Sequence, residues 1–284
     1  MRRHKTELGE LREWSKGAWW NTGSRQKEAS ALSSAPVAAV SSAGLVRRRN
    51  EDSAYAGRWL CAVADGMGGH GAGDVASATV IEAIRAFDVD ASDPGQLTTI
   101  LGAAVQEANK QLADRAQTDP GLASMGSTLT AMLWSGRHVA VANVGDSRAY
   151  LLRDRMLRQI TEDHVLANLV ASPMPAQTAA YLVRYLDARP GWSPDLTLRA
   201  ARPGDRYLIC SDGLNGVVSP EDIRDALADP GDLDQAVAEL IRMAHEAGAP
   251  DNVTLIAIDV PGGVWQERQT PIVLGAAATL ADMT

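Results

Sequence analysis

The most constraining stretch of the chain is Trp59-Leu-Cys-Ala-Val-Ala-Asp-Gly-Met-Gly-Gly-His70, an apolar run that ends on a carboxylate and a cluster of glycines. Leu60 to Ala64 are continuously apolar, the pattern of a short strand buried on both faces, and Asp65-Gly66 stops it. Gly66 has no side chain to crowd its own carbonyl. A hard divalent cation could take an Asp65 oxygen and that backbone oxygen together, the all-oxygen chemistry of magnesium, manganese or calcium. Asp-Gly is also a common hairpin turn, and the junction alone leaves both readings open.

The rest of the chain must supply a core large enough to hold such a strand. Its 284 residues suit one large domain or two small ones, and 45% apolar with 22% charged residues is ordinary for a globular protein. Aromatics are only 5%, with a single Phe at position 87, so Val, Leu, Ile and Ala must fill the interior. Residues 1–34 carry seven Lys or Arg against four Glu, a net of +3, which leaves −11 for the remainder of a chain whose formal charge is −8. An acidic body disfavours nonspecific binding to nucleic acid, and no nucleic-acid partner is expected. Arg47-Arg48-Arg49 is the basic cluster inside that body, short enough to read as one functional Arg beside two solvated ones.

Cys61 and Cys210 both lie in apolar runs and read as core thiols of a reducing compartment. No apolar segment follows Arg2, Arg3 and Lys5, and Ile272 to Ala281 is too short to span a bilayer. A cytoplasmic monomer without membrane association is therefore expected.

Residues 1–36 mix charge, Ser and Gly with Trp14, Trp19 and Trp20 and show no periodicity, which predicts a flexible N-terminal extension. From Val37 short strands flank a charged loop, Arg47 to Asp52. Ala76, Val80, Ile84 and Phe87, then Leu97, Leu101, Ala104, Ala108 and Leu112, recur at helical spacing. Ser127–Leu133, His138–Val144 and Ala149–Leu152 alternate as strands of an antiparallel meander. Residues 163–195, punctuated by Pro173, Pro175, Pro190 and Pro194, read as a surface insertion or flap. A strand through Cys210, capped helices opening at Ser219-Pro220 and at Asp232 with Gln235, and a strand from Asp251 to Val260 follow. Residues 37–262 then form the folded domain and 263–284 a C-terminal tail. Strands then helices, twice over, predict an α+β fold of two sheets with helices outside.

Acids recur at the strand edges beside glycine or another small turn residue: Glu51 and Asp52, Asp65-Gly66, Gly145-Asp146, Asp212-Gly213 and Asp251-Asn252. Each pair could be turn punctuation. Their repetition is what a multi-carboxylate centre requires, where two divalent ions roughly 3.5–4 Å apart share and divide carboxylates. No Walker loop or Gly-x-Ser-x-Gly elbow competes with that reading.

Taken in order, Gly44-Leu-Val-Arg47 with Asn50-Glu51-Asp52, Asp65-Gly-Met-Gly-Gly-His70, Gly126-Ser-Thr-Leu-Thr130, Gly145-Asp-Ser-Arg148, Thr161-Glu-Asp-His164, Cys210-Ser-Asp-Gly213 and Asp251-Asn-Val-Thr254 resemble the metal-dependent type 2C (PPM) serine/threonine protein phosphatases in their short bacterial form. The resemblance covers residues 40–260. It implies a four-layer α-β-β-α sandwich of two mainly antiparallel sheets, and a centre of two tightly bound Mn2+ or Mg2+ ions with a third, weaker site. Carried over by position, Asp65 would bridge both ions, Asp212 and Asp251 would bind the first, and Glu51 with the Gly66 carbonyl the second. Asp146 with Asp212 would hold the third. Asp52 would orient a metal-bound water and Arg47 would clamp the substrate phosphate. The implied reaction is hydrolysis of phosphoserine or phosphothreonine by a metal-bridged water, opposing a bacterial Ser/Thr kinase.

Two departures stand out. Met67 occupies a place where many eukaryotic relatives carry a histidine proposed as general acid, and Asp74 replaces a frequent Glu. The general acid is left open, with His70 weighed chiefly as a structural residue. The alternative to an active enzyme is a catalytically weak metal-binding interaction module of the same fold, against which the full acid set and Arg47 argue.

Overall fold

The computed structural model describes residues 37–91, 93–170, 173–189, 193–229, 232–262 and 270–281. The N-terminal extension, with Trp14, Trp19 and Trp20, lies outside the described residues. The apolar runs around the first acids become β1 (Val37–Ser42), β2 (Asp52–Ala56) and β3 (Leu60–Met67), and the two helical stripes become α1 (Ala72–Arg85) and α2 (Leu97–Thr118). Next come β4 (Gly126–Ser127), β5 (Leu129–Ser135), β6 (His138–Val144), β7 (Arg148–Arg153) and β8 (Met156–Gln159). In the Pro-punctuated segment the described residues form the single turns α3 (Leu166–Leu169) and α4 (Ala176–Ala179) before β9 (Asp195–Ala200). The chain closes with β10 (Arg206–Cys210), α5 (Asp212–Asn215), α6 (Pro220–Ala228), α7 (Leu233–Glu246), β11 (Val253–Asp259), β12 (Ile272–Gly275) and α8 (Ala276–Ala281).

Two antiparallel sheets result, one in the order β1-β11-β10-β7-β8 and the other β12-β2-β3-β5-β6-β9, with β4 pairing to β3. Because successive strand residues face opposite sides, each strand feeds two layers. Leu60, Ala62 and Ala64 of β3 pack with α1 and α2, whereas Cys61 and Val63 face the space between the sheets. On the other side Leu208 and Cys210 of β10 lie under α6 and α7, while Tyr207 and Ile209 point inward. The result is the four-layer α-β-β-α sandwich. Cys61 and Cys210 are buried in different layers. Among the inner residues, Trp134 and Tyr207 meet edge to face at 5.1 Å between ring centroids.

The caps legible in the sequence are made. Ser219 Oγ accepts from the Asp222 N–H at 3.1 Å and Asp232 Oδ1 from the Gln235 N–H at 2.8 Å, contacts worth about 1 kcal/mol each.

The meander is not continuous as expected. β6 belongs to one sheet and β7 to the other, so the chain changes layers at Gly145-Asp146. The alternating pattern is the same for a hairpin and a crossing; Gly145, with φ of 115°, turns the chain out of one sheet. Residues 272–281, part of the segment read as a tail, form β12 and α8. β12 pairs antiparallel to β2, and the Ala277 N–H donates to Ser53 Oγ. No helix among the described residues is long and apolar enough to cross a membrane.

Candidate metal centre

The acids meet because the ends of strands from both sheets do. Asp52, first residue of β2, is in register with Asp65 on β3, and the Gly66 N–H donates to the Glu51 carbonyl at 3.1 Å. Asp212 opens α5 after β10, and Asp251 precedes β11, the neighbour of β10. The glycines that follow Asp65 and Asp212 permit the approach. A Cβ on Gly213 would sit 1.9 Å from the Asn252 carbonyl oxygen, and one on Gly66 would sit 1.9 Å from that of Gly73. These junctions are close backbone contacts, and neither Asp-Gly pair is a hairpin turn.

Gly73 also clears space for two donors. A Cβ there would lie 2.7 Å from the Gly66 carbonyl oxygen and 2.9 Å from the Glu51 carboxyl carbon, so these oxygens border one cradle. Asn252 ties the Arg47 loop to the site: its Oδ1 accepts from the Glu51 N–H at 2.8 Å, and its Nδ2 donates to the Arg49 carbonyl at 2.8 Å and that of Ala43 at 3.1 Å. The loop so held places the exposed Arg47 Nη2 at 2.7 Å from Asp251 Oδ2.

Asp146 arrives from the crossing between sheets. Thr128 Oγ1 accepts from the Asp65 N–H at 3.0 Å and is 2.8 Å from Ser147 Oγ, which seats the residue after Asp146 next to β3. Met67 ends β3 and is partly buried. The His70 side chain lies outside the described residues. Asp74 faces Arg49 at 3.4 Å and adds to the negative field at Glu51.

The electrostatics are those of a cation site. Asp52 is wholly buried; burial, reinforced by Asp212 and Asp251, pushes its carboxyl up to about 7 despite the 2.8 Å bond donated by Ser211 Oγ to Oδ2. Asp146 is likewise pushed up to about 7, by burial and then by Asp212. Burial also raises Asp65, Asp212 and Glu51, with neighbouring carboxylates adding to each. The Asp65 and Asp212 carboxyls lie close enough that the Asp212 charge raises Asp65 further, an arrangement two anions tolerate best with a proton or a cation between them. Asp52 Oδ1 and Asp212 Oδ1 are buried without a hydrogen-bond partner.

Among the described residues no three His, Cys, Asp or Glu side chains are placed so that they could hold a metal ion as they stand. The fit to a hard divalent ion rests on the donors' chemistry: buried carboxyls that raise one another, two orphaned acid oxygens, and a cradle bordered by a carboxylate and a carbonyl. Six carboxyls gather here, from Glu51, Asp52, Asp65, Asp146, Asp212 and Asp251, with Arg47 at the rim beside Asp251, Arg49 also acting on Glu51 and Arg148 on Asp146.

Ser211, Asn252 and Thr128 are the residues that sequence reading passed over. Ser211 and Asn252 adjoin metal-candidate acids in the quoted motifs, and that adjacency was their signal.

Comparison with known proteins follows the same outline. A protein-family model described as protein phosphatase 2C matches residues 48–255. Serine/threonine protein phosphatase PstP of Mycobacterium tuberculosis is 44% identical over 248 residues, covering 85% of this chain and 48% of PstP. The chain thus spans about half the length of that relative. Serine/threonine phosphatase stp of Listeria welshimeri is 33% identical over 239 residues, covering 76% of this chain and 92% of stp. The crystal structure of Mycobacterium tuberculosis PstP/Ppp superposes with a TM-score of 0.75 at 43% identity, covering 79% of this chain and 98% of that one. The catalytic domain of PstP in complex with two manganese ions gives 0.74 at 45% identity, covering 79% and 97%. The matched span runs from the Arg47 loop through every acid of the cluster to β11, and on that footing the chain belongs to the protein phosphatase 2C family.

Proposed function

We propose that this chain is a metal-dependent serine/threonine protein phosphatase that hydrolyses phosphoserine and phosphothreonine in protein substrates. The observation that carries the reading is the gathering of strand-end acids, with Asp52 in register with Asp65, the buried Oδ1 atoms of Asp52 and Asp212 left without a partner, and Arg47 on Asp251 at the rim.

Asp65, Asp212, Asp251, Glu51 and the Gly66 carbonyl would hold two Mn2+ or Mg2+ ions. The two manganese ions bound by the PstP catalytic domain support the count of two ions. Asp146 and Asp212 fit a third, weaker site, since few charged ligands are available there. Bound there, the ions would supply Lewis acidity and an activated water.

The chain's own residues then divide the remaining work. Arg47 binds the phosphate, its planar fork matching two phosphoryl oxygens. Asp52 is held through Oδ2 by Ser211, which leaves its buried Oδ1 to accept from and orient a water at the site. The negative field of the acids excludes free phosphoprotein unless cations offset it. A phosphoprotein of the cell interior, set by an opposing Ser/Thr kinase, is the substrate class, and the chain acts as a cytoplasmic monomer.

The direct test is hydrolysis of a phosphothreonine peptide with and without Mn2+. Turnover that depends on Mn2+ and stops in chelator supports the reading; undiminished turnover in excess chelator overturns it.

A further inference from the structure

Asp146 stands where the chain leaves one sheet for the other, and the peptide group before it is held by a side chain distant in sequence. The Gly145 N–H donates to His164 Nδ1 at 2.9 Å, and the His164 backbone N–H donates to the Gly145 carbonyl at 3.0 Å. Asn143 Nδ2 adds a bond of 3.3 Å to the same carbonyl. The conformation so clamped is demanding: Gly145 has positive φ, and a Cβ there would lie 2.6 Å from the Thr128 side chain.

Because Nδ1 accepts, the ring proton sits on Nε2, which donates to Asp195 Oδ2 at 3.1 Å. Arg184 Nη1 donates to the other oxygen of Asp195 at 2.8 Å, and the Val183 N–H donates to the His164 carbonyl at 2.8 Å. His164 is thus buried at 5% exposure, with one ring nitrogen on the Asp146 corner and the other on the base of the 163–195 segment.

We propose that His164 is a positioning residue, orienting Asp146 for the weakest ion through the Gly145 peptide and tying that acid to Arg184 and Asp195, a role that rests on the phosphatase reading above. His164 touches neither substrate nor metal in this role. Its two contacts can be separated by substitution. His164→Asn carries its amide oxygen near the place of Nδ1 and keeps an acceptor for Gly145, while losing Asp195. His164→Gln carries its polar group near the place of Nε2 and does the reverse.

The test titrates Mn2+ into the full chain by calorimetry and, in parallel, follows phosphothreonine-peptide hydrolysis across Mn2+ concentrations. His164→Gln is expected to weaken the weakest Mn2+ binding step and to raise the Mn2+ needed for half-maximal hydrolysis by about tenfold. His164→Asn should stay close to wild type. In an Asp146→Asn background, His164→Gln should add no further shift, because both act on one site. Equal Mn2+ curves for the Asn and Gln variants, an unchanged curve for Gln, or full additivity with Asp146→Asn would each overturn the positioning role. A wild-type chain that binds Mn2+ and hydrolyses nothing would instead sink the phosphatase reading, and the calorimetry would still decide the role of His164.

Discussion

The guanidinium of Arg47 and the carboxylate of Asp251 hold each other at 2.7 Å across the rim of the acid cluster. The residue assigned to substrate phosphate therefore shares an oxygen with a residue assigned to a metal, and the two tasks compete for Asp251 Oδ2.

Arg47→Ala should raise the phosphopeptide KM and weaken inhibition by phosphate. Position in the sequence alone would leave metal affinity unchanged, but the ion pair predicts that it rises. Both side chains are more than a third exposed, so the pair is worth only about 0–1 kcal/mol and the gain in Mn2+ affinity should be at most about fivefold. Arg48→Ala removes the same charge without that pair and should leave Mn2+ affinity closer to wild type. Calorimetry that finds equal gains in both variants would mean general charge, and not this contact, governs the metal.

Asp65→Asn, Asp212→Asn and Asp251→Asn should each lose most turnover, because a negative ligand is removed at constant size. The charge of Asp212 acting on the buried Asp65 predicts an opposite effect on stability. An amide removes one buried charge from the group, so Asp65→Asn should melt higher than wild type in chelator, by about 2–4 °C for each kcal/mol of relieved repulsion. Its stabilisation by Mn2+ should shrink. A lower melting temperature in chelator would remove the repulsion from the account.

The raised carboxyls also fix the sign of the pH dependence. Asp52 and Asp146 are pushed from 3.8 up to about 7, so between those values the folded chain binds more protons than the unfolded one. Their contribution is full below about pH 4 and is lost as pH rises through about 7. His164, lowered from 6.5 chiefly by burial, works the other way below 6.5, but it is one group against the four raised aspartates. In chelator the protein should melt lower at pH 8 than at pH 6, and Mn2+ should stabilise it more at pH 8, since the ligands must lose protons to bind. Thermal melts with the reverse order would contradict the clustered acids.

Asp146→Ala should leave two Mn2+ countable by elemental analysis, while kcat falls and the optimal Mn2+ concentration rises. If the mutant instead loses only thermal stability and keeps its metal dependence, Asp146 merely closes the turn before Ser147.

Much of this protein was legible before folding, for a local reason. Leu60–Ala64, the α1 and α2 stripes and the caps at Ser219 and Asp232 are patterns within a few residues, and strand period and capping chemistry act at that range. The recurring acid-glycine junctions were legible too, though not the purpose of their glycines. Gly66 and Gly213 are required by the carbonyls of Gly73 and Asn252, which a sequence cannot place.

Tertiary structure alone decided what lies across the sheet order. Glu51 and Asn252 are 201 residues apart and Arg47 and Asp251 are 204 apart, yet each pair is in contact because β1 lies beside β11 and the loop after β1 must pass its start. The crossing at Gly145 was hidden for the same reason: alternation reports which residues face in, and is silent on which sheet receives them. The identity of the acids was written in the chain, while their approach was set by two sheets stacking so that strand ends from both open on one edge.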